Sequence, residues 1–503
     1  MDTILAGQID FKLRPGSDET LTRQLYDQLR AIILAGALPS GHRLPSSRDL
    51  ARRLGVSRNT VSFVVDQLAM EGYLDVTQGR RPTVAAAVET KLVSGRAPPR
   101  RSPSPFAVSR WGALLRKADW PFANEGKPRP FSPGLADTRA FPHDLWARYL
   151  RRAARNALAS GATMALNQPM LQAALLQHLI EHRGVRAETR QIIVTPTAQA
   201  AIELIARVLL DVGDVAWLES PGYGGARAAL EAAGAVVRGI GLDHSGLSFK
   251  GRRDRPRLIF VTPSHQYPTG RLMPINRRRE LLAFADTVGA AIVEDDYDSE
   301  FHYDGRPVAA LQGLDDSGRV FYVGTFSKST FVDVRTGYAI VPASLVEVFE
   351  KAQRHSGQIV PAQMQSALAN FIADGHFAAH IRRMTRVYRA RRDRLVHALD
   401  SAVGRALKIV PPAGGMQLLA RLDPRQDDVA LATRLATAGV VARPLSRHMT
   451  GERTERGLFL GFAAWNEREI DAAAFVIGRV MRRGVHVPKQ PNGRSFAARS
   501  RDQ

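Results

Sequence analysis

Between residues 21 and 68 the apolar positions recur at helical spacing in three separate runs. Leu21, Leu25, Leu29, Ile32 and Ile33 share one face of a first helix, and Gly36 suits the left-handed residue just past its end. After a turn from Leu38 to Leu44, Ser46 or Ser47 caps a short second helix whose apolar face is Leu50, Ala51 and Leu54, stopped by Gly55. Ser57 then caps a third helix carrying Val61, Val64, Val65 and Leu68. Two short helices joined by a tight Gly-Val turn make a helix-turn-helix. Tyr73 to Val76 and Pro82 to Ala85 read as two short strands around Gly79, Arg80 and Arg81, a wing with a basic tip.

Further along, the texture changes. From about 129 to 484, apolar runs (IIVT at 192, VAWLE at 215, LIFVTP at 258, AIVEDD at 291, VFYVGTF at 320) alternate with helical stretches, which predicts an α/β domain with a mostly parallel sheet covered on both faces. The stretch 86–128 contains APPRRSPSP and is expected to be an extended, mobile linker. Residues 485–503 are polar and basic and are expected to be disordered. The expected plan is a small α+β head over 17–85, the linker, a large domain over 129–484 and a tail, with no internal repeats.

At 503 residues, two or more folding units are required, and the 45% hydrophobic and 23% charged fractions are those of a globular protein. A formal charge of +22 points to a polyanionic partner, nucleic acid being the commonest. With no cysteine, disulfide and thiolate chemistry are excluded. The N-terminal MDTILAGQIDFKL lacks the marks of a signal peptide and no apolar run approaches a membrane span, so a cytoplasmic protein without membrane attachment is expected.

Ser57, Arg58, Asn59 and Thr60 place hydroxyls, a guanidinium and an amide on the first turn of the third helix, the part of such a unit that meets base edges and phosphates in the major groove. The phrase RLPSSRDLARRLGVSRNTVSFVVDQLAMEGYL resembles the GntR family of bacterial winged-helix regulators, over residues 21 to 85. The resemblance implies a double-stranded DNA operator contacted by Arg48 and Arg58, with Ser57, Asn59 and Thr60 beside them, Gly79 at the wing tip and Arg43 as a further contact. The wing departs from that family's G-S-G-T-F at Arg80, Arg81, Pro82 and Val84.

In the large domain, VEDDYDSEF ends a strand, so Asp295 and Tyr297, two apart, share a face and Asp296 points the other way. A carboxylate and a phenol so placed suit the pyridine nitrogen and the ring oxygen of an aldehyde cofactor, and a lysine can hold that aldehyde covalently. Lys328, with Thr325 three before and Arg335 seven after, supplies an amine and two groups for a phosphate. Tyr223 in PGYGG can stack on the ring, and Ala198 and Gln199 open a helix whose free amides suit a phosphate.

Together ESPGY, TPSHQYPTG, VEDDYDSEFHYDGRP and GTFSKS, in that order, resemble fold-type I pyridoxal 5'-phosphate (PLP) enzymes and specifically the MocR subfamily of GntR regulators, which join a winged helix to an aminotransferase-like domain. The resemblance covers nearly the whole chain and implies a homodimer arranged head to tail. It implies Lys328 as the cofactor lysine, Asp295 at the pyridine nitrogen, Tyr297 at the ring hydroxyl, Tyr223 stacked on the ring, Thr325 and Arg335 at the phosphate, and Tyr267 where aminotransferases carry an asparagine. Departures stand at Pro196, Thr197, Ala200, Val332, Asp333 and Gln417.

Aminotransferases hold the substrate carboxylate with an arginine on a late strand, and Phe459 occupies the matching position. The expected function is therefore a non-catalytic sensor-regulator answering to PLP or an amine or amino acid joined to it. The alternatives are a DNA-tethered aminotransferase with real turnover and a DNA-binding scaffold with a decayed pocket. His376 and His380 have zinc-like spacing without a third ligand and read as structural, so no metal is expected. The arginine-rich run from Arg382 to Arg394 reads equally as a solvated helix face or a second DNA-facing surface.

Overall fold

The computed structural model describes residues 11–17, 19–77, 79–86, 107–117, 128–160, 166–305, 308–452 and 454–483. The chain divides into two compact units, Met1–Ala107 and Val108–Gln503.

In the first unit, α1 (Leu21–Leu34), α2 (Ser47–Leu54) and α3 (Arg58–Met70) enclose a core of Leu25, Leu29, Ile33, Leu50, Val61, Val64 and Leu68. The predicted caps are in place. Ser46, not Ser47, caps α2 by accepting the Asp49 amide at 3.2 Å, Ser57 caps α3 by accepting the Thr60 amide at 3.0 Å, and Gly55 ends α2 with φ 65°. The wing strands β1 (Leu74–Asp75) and β2 (Thr83–Val84) pair antiparallel. The turn before α2 adds a third edge: Val84 donates to His42 at 2.9 Å, Leu44 donates to Pro82 at 2.8 Å, and Arg43 bridges Thr83. The wing is thereby sewn to the start of the helix-turn-helix.

The second unit begins with α4 (Arg110–Lys117), a helix inside the stretch expected to be an extended linker; 87–106 and 118–127, like the tail, lie outside the described residues. Next come α5 (His143–Ser160), α6 (Pro169–Arg183), β3 (Ile192–Thr195), α7 (Ala198–Leu209), β4 (Val215–Ser220), α8 (Gly224–Ala232), β5 (Val236–Asp243) and β6 (Gly246–Leu247). They are followed by β7 (Leu258–Val261), α9 (Ile275–Val288), β8 (Ala291–Asp296), β9 (Val320–Thr325), β10 (Gly337–Ile340), α10 (Val346–Ser356), α11 (Ala362–Ala373) and α12 (His376–Val403). The chain ends in β11 (Lys408–Ile409), β12 (Gln417–Arg421), α13 (Asp428–Thr437), β13 (Arg443–Pro444), β14 (Gly457–Gly461) and α14 (Glu467–Arg483).

The eight-stranded sheet has the order β3-β10-β9-β8-β7-β4-β5-β6. Strands β9, β8, β7, β4 and β5 run parallel, whereas β10 is antiparallel to both its neighbours. Alternation of side chains sorts each strand between two cores: Ile192, Val194, Tyr322, Tyr338 and Ile340 enter one, and Ile193, Phe321, Val323 and Ala339 the other. That double burial is why these strands read as unbroken apolar runs. Strands β11 to β14 form a separate antiparallel sheet, order β11-β12-β14-β13, which periodicity had not separated from the rest.

Candidate functional site

In the head, Arg43, Arg48, Ser57, Arg58, Asn59 and Gly79 are exposed, and Thr60 is half-buried. The Ser57 hydroxyl serves the α3 cap and lies 2.8 Å from the Thr60 hydroxyl, so these two fix the helix start while Arg58 and Asn59 project from it. Gly79 has φ 78°, a conformation that favours glycine, at the turn between the wing strands. Arg43 sits on the edge joined to β2.

The large domain gathers its polar groups at the C-terminal ends of the parallel strands, where open α/β sheets bind ligands. Lys328 follows β9, and its Nζ donates to the Gly134 carbonyl at 2.7 Å. Gly134 has φ 76°, and a Cβ there would stand 2.7 Å from Nζ, so the contact needs glycine. Burial, then the charge of Arg443, brings the Lys328 ammonium down to about 8, with Asp298 and Asp295 pulling the other way. A lysine so placed has access to the neutral amine, the nucleophilic form, near neutral pH.

Asp295 is the penultimate residue of β8, on the cleft side. Burial, reinforced by Asp296 and Asp298 and offset by Lys328, pushes its carboxyl up to about 8, and its buried Oδ1 has no hydrogen-bond partner. Asp296 points the other way, as expected, and is held by Arg183 at 2.8 Å and the Tyr322 hydroxyl at 2.6 Å. Arg183 also donates to Ser264 at 2.6 Å. The Tyr297 hydroxyl donates to the His265 carbonyl at 3.0 Å, and burial raises it well above the ordinary tyrosine range. His265 in turn meets Asp298 at 2.8 Å.

Aromatic rings wall the cleft. Tyr267 lies edge-on to Tyr223 (5.6 Å between centroids), Tyr297 (5.9 Å), His448 (5.3 Å) and Phe459 (5.1 Å). The Gln199 side chain accepts from the Tyr223 hydroxyl at 3.1 Å and donates to the Gly225 carbonyl at 2.9 Å, fixing the tyrosine's position. Gln266, beside Tyr267, is spent on the turn: it donates to Pro221 at 2.8 Å and to Glu219 at 3.3 Å.

At the start of α7, Thr197 caps the helix through the Ala200 amide at 3.0 Å. The departure at Thr197 therefore keeps a capped helix, whose Ala198 and Gln199 amides precede the first intrahelical bonds. Gly337 stands opposite Thr325 in the sheet, and a Cβ on it would come 2.5 Å from the Ala198 nitrogen, so Thr325 and the α7 start are close neighbours. Arg335 takes φ 42°, and its side chain and that of Asp333 are exposed.

The structure thus brings together Lys328, Asp295, Tyr297, Tyr223 and Tyr267, joined through the Tyr223–Gln199 hydrogen bond to the start of α7, where Ala198, Gln199 and Thr325 lie together. Sequence reasoning missed Gly134, Arg183 and Arg443. Gly134 lies 194 positions before Lys328, with no pattern linking them.

On α12, five of the seven arginines fasten the helix to its surroundings: Arg383 to the Ala140 carbonyl, Arg389 and Arg392 to Asp304, Arg391 to Asp137, and Arg394 to Asp471. Arg382 and Arg386 remain as an exposed pair, which shrinks the idea of a second DNA-facing surface. His380 packs edge-on against Phe141 (5.3 Å) and His376 lies against Phe371 (5.9 Å), as structural rings do.

Comparison with known proteins agrees in both halves. Residues 21–84 match the bacterial regulatory proteins of the gntR family, and residues 141–476 match aminotransferase class I and II. The probable rhizopine catabolism regulatory protein MocR of Rhizobium meliloti is 41% identical over 89% of this chain and 91% of its own length. The pyridoxine biosynthesis transcriptional regulator PdxR of Corynebacterium glutamicum is 32% identical over 92% of this chain and 96% of its own. Among solved structures, the α-aminoadipate aminotransferase LysN of Thermus thermophilus, complexed with N-(5'-phosphopyridoxyl)-L-leucine, superposes with a TM-score of 0.64 at 26% identity, covering 70% of this chain and 92% of that one. A DNA-binding winged helix followed by a fold-type I aminotransferase fold, shared along nearly the whole chain with named regulators, shows that this protein belongs to the MocR-type GntR transcriptional regulators.

Proposed function

We propose that the large domain holds pyridoxal 5'-phosphate through Lys328 and senses an amine or amino acid rather than consuming it, while the head reads an operator through Arg48, Arg58 and Asn59, with Arg43 and the wing at Gly79 alongside. The observation that carries this reading is the buried, unpartnered Oδ1 of Asp295 in the same cleft as the Lys328 amine. A protonated pyridine nitrogen supplies the missing partner, and the donor set fits the rest of the group. Tyr297 suits the ring oxygen, Tyr223 the ring face, and Thr325, Arg335 and the Ala198 and Gln199 amides the phosphate. PLP bound there would supply an aldehyde able to capture an amine.

Each residue has a task that needs no turnover. Gly134 holds the lysine amine, Gln199 and Tyr223 fix the ring plane, and Asp295 keeps a proton at the far end of the ring. Phe459 on β14 removes the usual cation from that strand, so a substrate's acid end is not held in the position that turnover uses, and loss of that orientation removes a large share of any rate. A population shift between two arrangements of a cytoplasmic head-to-tail homodimer then suffices for regulation, provided the ligand binds the two unequally.

Purified protein titrated with PLP should develop the visible absorbance of a lysine-bound cofactor, and Lys328→Ala should abolish it. Retention of the band in that variant removes Lys328 from the role. Amino acids should perturb the band, and DNA affinity should respond to PLP, while keto-acid-dependent turnover stays at background. The retained Lys328, Asp295 and Tyr297 favour a second reading, a DNA-tethered aminotransferase, and sustained transamination would establish it.

A further inference from the structure

Strand β13 pairs with β14 so that Arg443 stands directly opposite Phe459. Residues opposite each other in an antiparallel pair project from the same face. The Phe459 ring packs edge-on against Tyr267 at 5.1 Å, and Tyr267 in turn lies 5.6 Å from Tyr223 and 5.9 Å from Tyr297. This face of the small sheet therefore looks onto the aromatic wall of the cleft, and Arg443 is on it. Its charge acts on Tyr267, Tyr223, Lys328 and His448, and its side chain is half-buried, so water and small solutes still reach it.

The rings around it carry no charge to orient a ligand. Once Lys328 is committed to an aldehyde, Arg443 is, among the described residues, a cation that acts on Tyr267, Tyr223 and His448 alike, and a guanidinium offers two parallel N–H groups to one carboxylate. A ligand amine directed at Lys328 has its other end near β13 and β14, where Phe459 supplies shape and Arg443 supplies charge. We infer that Arg443, one strand over from the position held by Phe459, is the carboxylate-recognising residue of the cleft, and that the ligand it selects is an amine bearing an acid group rather than a simple amine.

The inference rests on the cofactor reading above, and the experiment separates the two. PLP-loaded wild type, Arg443→Gln and Arg443→Lys are titrated with alanine, β-alanine and leucine, and with ethylamine and 3-methylbutylamine, which lack the acid group, following the visible band at equilibrium. Wild type should respond to the better acid-bearing amine at a concentration at least about tenfold lower than to its decarboxylated counterpart, the scale of a charge-assisted hydrogen bond. Arg443→Gln should bring the two within about twofold, while Arg443→Lys, which keeps the charge, should retain part of the preference. In an Arg443→Gln background, Phe459→Arg should restore it. Absence of the preference in wild type, or its persistence in Arg443→Gln, overturns the assignment.

If PLP gives no Lys328-dependent band at all, the cofactor reading falls and Arg443 is judged separately, by calorimetric titration of the cofactor-free proteins with alanine. Binding lost in Arg443→Gln then supports it, and equal or absent binding in both proteins overturns it.

Discussion

The head and the cleft place chemistry at the same kinds of position, helix starts and strand ends, but commit it in opposite ways. In the head, Arg48, Arg58 and Asn59 are exposed, and the backbone beneath them is already satisfied by the Ser46 and Ser57 caps. In the cleft, apart from the unpartnered Asp295 Oδ1, the polar groups hold one another: Lys328 holds Gly134, Tyr297 holds His265, and Tyr223 holds Gln199. The difference teaches that these exposed residues of the head can be exchanged almost independently of folding, whereas those of the cleft are coupled to it.

The strongest way to break that contrast is to remove a support beneath the cleft. Arg183→Met leaves the buried Asp296 carboxylate without its cation, and should cost about 3–5 kcal/mol in urea unfolding of the large domain. A cost near zero would show that Asp296 is not held as a charge. For the head, Arg58→Ala should weaken operator binding by about 1–3 kcal/mol in a gel-shift titration, with the thermal transition unmoved.

A subtler test uses pH. Asp295 is pushed up to about 8 in the folded protein, far above its unfolded value, so between about pH 4 and 8 the folded state binds the extra proton and stability falls as pH rises. Glu219, pushed up to about 7 by burial, and Glu300, pushed up to about 8 by burial and Asp296, act in the same direction. His178 and His380, each lowered to about 4 by burial, and His448, lowered to about 3, act the other way, because the unfolded imidazoles, near 6.5, still bind protons that the folded rings do not; from pH 6.5 to 7.5 each offsets only about 0.3 kcal/mol of the carboxyl effect, and Lys328 contributes mainly above pH 8. From pH 6.5 to 7.5 the cofactor-free protein should therefore lose stability, and Asp295→Asn should remove up to about 1.4 kcal/mol of that loss. An unchanged slope in the variant would mean that Asp295 is ionised throughout. The smallest effect is expected at the Ser57 cap, where Ser57→Ala should cost about 1 kcal/mol in head stability, read from denaturation of the full chain by a probe in that unit.

How legible these regions were follows from the range of the interactions that build them. The head is local: caps, apolar spacing and the glycine stops lie within a turn or two of what they control, so α1, α2 and α3 were all readable. The runs that became β3, β4, β7, β8 and β9 were readable too, because burial on both faces makes them continuously apolar. Strand β10 and the small sheet were not separated out, since their short apolar segments look alike whichever sheet they join. In the cleft, Asp295, Tyr297 and Lys328 stood out from local phrases and from resemblance. Gly134, Arg183 and Arg443 have no local signature. Each acquires its role only from a residue far off in sequence, and Arg443 in particular from a cross-strand neighbour sixteen positions on.

Strand β10 carries one more consequence, for the order in which the protein is made. Gly337 lies opposite Thr195 on one side and Thr325 on the other, so the strand leading to the α7 amides and the strand leading to Lys328 are joined only through it. During synthesis, β3 emerges about 140 residues before this partner, a wait of roughly 7–30 s at ordinary elongation rates. Until then the nascent sheet has an open edge beside the start of α7. The head can be complete throughout that interval, whereas the aromatic wall of the large domain is finished later still, when β12 and β13 pair with β14.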